Sequence, residues 1–363
     1  MSRIAILDCH EHDPGLKILF PEADYYVFMK GCYKGEIYNK HNICPHYHDI
    51  DFNIFDKIND TKYDSLMIVC NIYDGMLKYN GVIKTSFFKD SNLKFLDKVM
   101  LLLLKNNFKN VFLFDNYDYN YDPNIISDIS DVYEHIIKTK NLLFFKRNFT
   151  PMRILHAHGN VSSPQTMDDL HRQCCYKAIE YKQNVFPFPY IMFGKFCNID
   201  TIISTPPTYN ERIPRVFFSG TLFDHEDPVY GIFRNRRKTM EKITRLIHID
   251  YTNNLPHDVF LSTLSKYKYA LDLLGVGDPN IRTFEILSSN SLRIAERSNL
   301  TWNFDDDFCE ETYFSDEIEL VNKLLLLENN PDLYTRCLEK QKYIVSTYMN
   351  VSALRNYISE KMK

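Results

Sequence analysis

A chain of 363 residues, 45% hydrophobic and 25% charged, has the length for two domains and the composition of packed globular cores, which argues against disorder. Its 43 Lys and Arg against 47 Asp and Glu leave a net charge of −4, without the basic excess of a nucleic-acid binder, so no nucleic-acid partner is expected. No apolar run approaches the roughly 18 residues that cross a bilayer, and the start turns acidic and His-rich where a signal peptide stays apolar, so a cytoplasmic location without a membrane span is expected.

The first expected strand is 3–7, a short apolar run ending in Asp8, Cys9 and His10 before the breaker pair Asp13 and Pro14. Open α/β sheets carry ligand groups just past a buried strand, which makes Asp8, His10 and His12 candidates for proton transfer near neutral pH. Further strands are expected at 25–29, 65–69, 111–114, 142–145 and 190–193. A helix is expected over 93–105, where Phe95, Leu96, Val99, Met100 and Leu103 recur at helical spacing. Asp115 and Asp118 follow one of these strands, and His156 and His158 share a face of a strand-like segment; all four are further candidates for a base. Strands alternating with helices imply a mostly parallel sheet covered on both faces.

The Pro-rich stretch 206–214 reads as a linker between an N-terminal domain over 1–205 and a C-terminal domain over 215–340. After it the alternation restarts, with strands expected at 216–218, 247–249, 269–273 and 291–295 and helices over 236–246, 257–264, 281–288 and 318–328. The end of the chain keeps a helical rhythm through Leu333, Cys337, Ile344 and Leu354, and its last part, 341–363, is expected to pack back on the first domain. Nine cysteines without a C-x-x-C pair give no disulfide or zinc framework and read as reduced, mostly structural thiols. The run Asp305, Asp306, Asp307 reads as a loop and helix cap, and His156 and His158 lack a third ligand nearby, so no metal site is expected.

The strongest local pattern runs from Ser265 to Leu287. A buried strand enters Gly275 and Gly277, and a helix begins at Asn280 or Ile281. Glycines let the backbone approach a ligand, and the N–H groups of a helix start attract an anion such as a diphosphate. Arg282 falls on the first turn, with Glu285 three residues on along the same face. That spacing suits a guanidinium on phosphate oxygens with a carboxylate on ribose hydroxyls, and equally an ordinary ion pair. Upstream, Val216 to Phe218 lead into a small-residue turn at Ser219, Gly220 and Thr221. Arg234, Arg236, Arg237 and Lys238 then crowd a helix start, as a solvated face or as charges for a phosphate.

Strand, Gly-x-Gly loop, Arg-x-x-Glu helix and the polar break Ser289, Asn290, Ser291 before another strand resemble the donor-site signature of GT-B glycosyltransferases. The opening Ser265, Lys266, Tyr267, Lys268, Tyr269 is especially similar to the exostosin-like and protein O-glucosyltransferase-like branches. The resemblance implies an α/β chain of two Rossmann-like domains facing a central cleft, with a C-terminal helical tail. It implies a hexosyl- or pentosyltransferase that uses a nucleotide-diphosphate sugar as co-substrate, without cofactor or metal, and acts on a hydroxyl of a glycan or glycoprotein. It assigns donor contacts to Ser219, Gly220, Thr221, Arg237, Gly275, Gly277, Arg282, Thr283 and Glu285. For an inverting reaction the base is sought on the first domain, with Asp8 and His10 as the leading candidates. A nucleotide-sugar epimerase of the same fold and a non-catalytic nucleotide-sugar-binding protein are the alternatives. Abundant Tyr and Phe with only 11 Gly is what AT-rich coding produces, as in some parasites and large DNA viruses, and a viral protein in host cytoplasm is the matching expectation.

Overall fold

The computed structural model describes residues 3–9, 15–30, 49–70, 76–79, 82–85, 87–115, 135–136, 138–146, 184–187, 208–220, 222, 231–253, 255–274, 281–297, 302–304 and 307–362. The chain divides into two compact units. One comprises Met1–Ile191, Thr301–Asn303 and Arg355–Lys363; the other comprises Met192–Leu300 and Phe304–Leu354.

The first unit runs through β1 (Ile4–Asp8), α1 (Gly15–Leu19), β2 (Asp24–Val27), the two-residue strands β3 (Met29–Lys30) and β4 (Asp49–Ile50), α2 (Asn53–Asp60) and β5 (Ser65–Cys70). It continues with the antiparallel pair β6 (Met76–Tyr79) and β7 (Val82–Thr85), α3 (Phe87–Lys105), β8 (Asn110–Asp115), β9 (Leu142–Lys146) and β10 (Asn184–Pro187). Its main sheet has the order β10-β9-β8-β5-β1-β2, and every pairing is parallel. Strands buried on both faces need near-continuous apolar runs, and β1, β5 and β8 have them. On one face Ala5, Leu7, Leu66, Ile68, Val111 and Leu113 pack against Ile54, Phe55 and Ile58 of α2 and Phe95, Leu96, Val99 and Leu102 of α3. Phe112, Phe114 and Phe145 stack on one another, with Phe114 and Phe145 at 4.8 Å between centroids.

The second unit contains β11 (Ile213–Ser219), α4 (Gly231–Thr244), β12 (Ile249–Thr252), α5 (His257–Leu264), β13 (Tyr267–Asp272), α6 (Ile281–Ser288), β14 (Leu292–Glu296), β15 (Tyr313–Phe314), α7 (Glu317–Glu328) and α8 (Pro331–Tyr348). Its parallel sheet has the order β12-β11-β13-β14-β15. Val216, Phe218, Tyr269, Leu271, Leu292 and Ile294 pack with Met240 and Ile243 of α4, Leu320 and Leu327 of α7, and Leu333, Tyr334 and Cys337 of α8. Asp316 caps α7, accepting from the N–H groups of Ile318 and Glu319 at 2.9 and 2.8 Å, an interaction that stabilises a helix by about 1 kcal/mol. A last helix, α9 (Val351–Glu360), contributes its residues from Arg355 onward to the first unit. There the Tyr357 ring stands edge-on to Phe145 at 6.0 Å, and its hydroxyl donates to the Pro187 carbonyl at 2.9 Å.

Residues 208–214 carry structure within the second unit. Thr208 and Glu211 form a capping box on a 3-10 turn, and Ile213 opens β11. The pairing of β11 with β13 shifts register between Ile213 and Val216, where Pro214 has no N–H to give the ladder. The strand expected at 190–193 lies outside the described residues, as do Asp118, His156 and His158. The helix expected from 93 begins earlier, at Phe87, and the one expected over 236–246 spans Gly231–Thr244. The added first turns carry their apolar residues side by side, Phe87 with Phe88 and Ile232 with Phe233, which shows no helical period.

Candidate functional site

In an open parallel sheet the place for a ligand is the carboxyl edge where strand order reverses, because the two connecting segments part there. In the second unit that point lies between β11 and β13, since β12 flanks β11 on one side and β14 and β15 lie beyond β13. Ser219 ends β11 and is buried; Gly220 follows. A Cβ on Gly220 would come within 2.9 Å of the Phe218 ring and 3.6 Å of Arg236 Nη1, so the turn is built for a residue without a side chain.

Arg236 of α4 reaches this point. Its Nε donates to the Leu274 carbonyl at 3.1 Å and its Nη2 to the Leu273 carbonyl at 3.4 Å, which braces the guanidinium where the chain leaves β13. Its neighbour Arg237 donates from Nε to the Leu222 carbonyl at 3.0 Å, holding the segment that follows Gly220. The Tyr251 hydroxyl donates to the Gly220 carbonyl at 3.0 Å. Burial pushes the Tyr251 phenol up from its usual range, while Arg237 and Arg236 pull it down.

Acids accompany these bases. Glu296, the last residue of β14, accepts from the Leu274 N–H at 3.0 Å. Burial holds its carboxyl above the usual range, against the Leu274 N–H and the charge of Arg236. Asp272, the last residue of β13, takes Arg293 Nε at 2.6 Å, and this pair is almost wholly buried. Burial opposes the Arg293 charge, but Asp272 outweighs it and the guanidinium is held above its usual value. Arg282 and Glu285 of α6 form an ion pair at 2.9 Å, with 31% of the Arg282 side chain and 4% of the Glu285 side chain exposed. Arg282 also lies over the Phe260 ring, 3.8 Å from its centroid. Burial lowers its affinity for a proton, while Glu285 and Asp272 raise it. Thr283 is buried on the same helix. Asn290, with φ 64°, closes α6 in the left-handed region that asparagine tolerates, and its carbonyl accepts from Arg212.

Of the residues singled out by sequence, the structure thus brings Ser219, Gly220 and Arg237 to the end of β11, and sets Arg282, Thr283 and Glu285 on α6. Thr221, Gly275 and Gly277 lie outside the described residues. Arg236, which the sequence offered only as one of four basic neighbours, is the arginine braced at the reversal point. Glu296 had no sequence signal at all, because its role depends on the β13–β14 register. Of the acidic run, Asp307 pairs with Lys340 at 2.6 Å, and Asp305 and Asp306 are outside the described residues.

In the first unit the order reverses at β1, flanked by β2 and β5. Asp8 ends β1 in register with Val27 and Val69, is 1% exposed, and accepts the Tyr25 hydroxyl at 2.6 Å. Its carbonyl takes the Phe28 N–H at 2.9 Å. His10 lies outside the described residues.

No protein-family model matches the sequence, and no curated protein matches it. Among solved structures, the chain is similar to an α-glucosyltransferase in complex with UDP and a 13-mer DNA containing a HMU base, at 11% identity over 99% of each chain with a TM-score of 0.51. It is also similar to the T4 phage β-glucosyltransferase in complex with its UDP-glucose substrate, at 12% identity over 99% of each chain with a TM-score of 0.50. The likeness establishes the fold. Two α/β units, each with a parallel sheet, spanning the full length of such chains, make this a GT-B fold.

Proposed function

We propose that the chain is a glycosyltransferase that moves a sugar from a nucleoside-diphosphate donor to an acceptor hydroxyl, receiving the diphosphate at the carboxyl edge of β11 and β13. The observation that carries this reading is Arg236, braced on the Leu273 and Leu274 carbonyls beside Gly220 where the strand order reverses. Glycosyl transfer builds negative charge on the departing diphosphate as the anomeric carbon becomes cation-like. A guanidinium already held in place stabilises that charge without reorganising. Arg282, oriented by Glu285, is the second proposed cation. Ser219 and Gly220 supply backbone groups at close approach, Thr221, Gly275, Gly277 and Thr283 are further proposed donor contacts, and Arg237 holds the segment at Leu222. UDP and UDP-glucose in the two similar structures support a uridine donor as the first to try.

Asp8, with His10 two residues on, is the proposed base for the acceptor hydroxyl. The acceptor is proposed to be a glycan or glycoprotein, and the reaction to need no bound metal. Calorimetry against UDP, GDP, dTDP and ADP, each with and without a chelator, tests donor binding. Transfer from a labelled donor to glycan, glycoprotein and DNA acceptors then tests the reaction. Binding of none of these nucleotides refutes the donor site. Interconversion of free donor without transfer assigns the chain to epimerisation, and donor binding with neither transfer nor hydrolysis makes it a binding protein.

A further inference from the structure

Away from the donor edge, Cys309, Glu311 and Cys337 converge beside β15. Cys309 precedes the 3-10 turn Glu310–Thr312, and its carbonyl takes both the N–H and the hydroxyl of Thr312, at 3.0 and 2.7 Å. Lys323 ties the same turn down by donating to the Glu310 carbonyl at 2.8 Å. Cys337 stands in the middle of α8, 2% exposed, in the core with Leu333, Tyr334 and Leu338. One ligand atom from each of Cys309, Glu311 and Cys337 lies within 4.8 Å of the other two. Sequence spacing gives no hint of this, because the fold brings together a turn and a helix far apart in the chain.

Two sulfurs and a carboxylate suit a thiophilic dication. Zinc bonds of about 2.3 Å to sulfur and about 2.0–2.2 Å to oxygen set tetrahedral ligand atoms roughly 3.5–3.8 Å apart. The three ligand atoms, within 4.8 Å of one another, stand at most about an ångström wider than that. Two thiolates and one carboxylate around a dication leave one negative charge. Lys340, one turn beyond Cys337 and paired with Asp307 at 2.6 Å, lies in electrostatic reach of both sulfurs.

We propose that Cys309, Glu311 and Cys337 bind a divalent cation of the zinc class, with water as fourth ligand, joining the turn before β15 to α8. Binding releases the two thiol protons to solvent and involves no electron transfer. The inference is independent of the donor-site reading.

The test uses the full chain, stripped with a chelator and kept reduced, titrated with cobalt(II) and then with zinc. A thiolate-to-cobalt charge-transfer band saturating at one equivalent and displaced by zinc is expected. Cys309→Ser and Glu311→Gln, both at partly exposed positions, are expected to weaken cobalt binding by at least about 10- to 100-fold. Their folding is verified by circular dichroism. No charge-transfer band in folded wild-type protein overturns the proposal. So does unchanged binding in Cys309→Ser, which would place the metal on other cysteines. A Cys309–Cys337 disulfide with no metal in protein isolated without reductant also overturns it.

Discussion

Replacing Arg282 by alanine separates its structural role from any role in binding. Glu285 is buried, with its carboxylate 2.9 Å from the Arg282 guanidinium. Removing one partner of such a pair takes the counter-charge from the other and costs about 3–5 kcal/mol. Arg282 is itself 31% exposed, which puts the expected loss near the lower end. Lost contact with the Phe260 ring adds about 1 kcal/mol. Urea unfolding at neutral pH is therefore expected to show a deficit of about 3–4 kcal/mol. The double variant Arg282→Met with Glu285→Gln removes both charges and is expected within about 1 kcal/mol of wild type. In that stable background, calorimetry with UDP reads the ligand role of the pair, free of the stability loss. Loss of a charge-assisted contact of about 1.5–3 kcal/mol raises Kd roughly 10- to 100-fold. Equal urea midpoints for Arg282→Ala and wild type refute the dependence of Glu285 on Arg282. Wild-type UDP affinity in the double variant removes Arg282 from the donor site.

Arg236→Ala is expected to raise the Kd for a nucleoside diphosphate roughly 10- to 100-fold, and Arg236→Lys to recover only part of it, because an ammonium lacks the planar fork that braces on two carbonyls. Calorimetry checks this, and an unchanged Kd in the alanine variant contradicts it. Asp8→Asn, which can still accept the Tyr25 hydroxyl, is expected to slow transfer by about 10²- to 10⁴-fold while donor affinity stays put; wild-type turnover in this variant discards Asp8 as the base. Glu296 is held above its ordinary range by burial, so wild-type protein loses stability as pH rises through its folded value. Glu296→Gln does not titrate and still accepts the Leu274 N–H. Its stability relative to wild type is expected to improve from about pH 4.5 to about pH 7.5, and a pH-independent difference in urea midpoints counts against the assignment.

The GT-B architecture was legible because its central strands advertise themselves. The apolar runs at 65–69 and 111–114 became β5 and β8, and α5 and α6 span the expected residues. Helix α6 was easy to bound because Asn290 supplies the left-handed residue that ends it. By contrast α2, with Ile54, Phe55 and Ile58 buried among polar neighbours, is too short for its period to stand out. Strand β11 starts ahead of its apolar run because a register shift accommodates Pro214, and a proline ordinarily argues against a strand. At the site, composition pointed to the basic cluster at 234–238 but not to where each of its side chains reaches. Adjacent helix positions differ by about 100° in direction, so only the fold shows Arg236 turned to the β13 carbonyls and Arg237 to Leu222. The ion pair of Arg282 with Glu285 was one of the two outcomes its spacing allowed; that Glu285 is buried depends on packing no spacing encodes.

The docking of α9 has a bearing on synthesis. Tyr357 covers Phe145 and binds a carbonyl at Pro187, 170 residues earlier. A nascent chain emerging from the ribosome can form the first sheet early but leaves that aromatic surface bare until nearly all of the second unit has been made. The N-terminal half is therefore completed last, and chains stalled before residue 355 should expose a sticky face to chaperones.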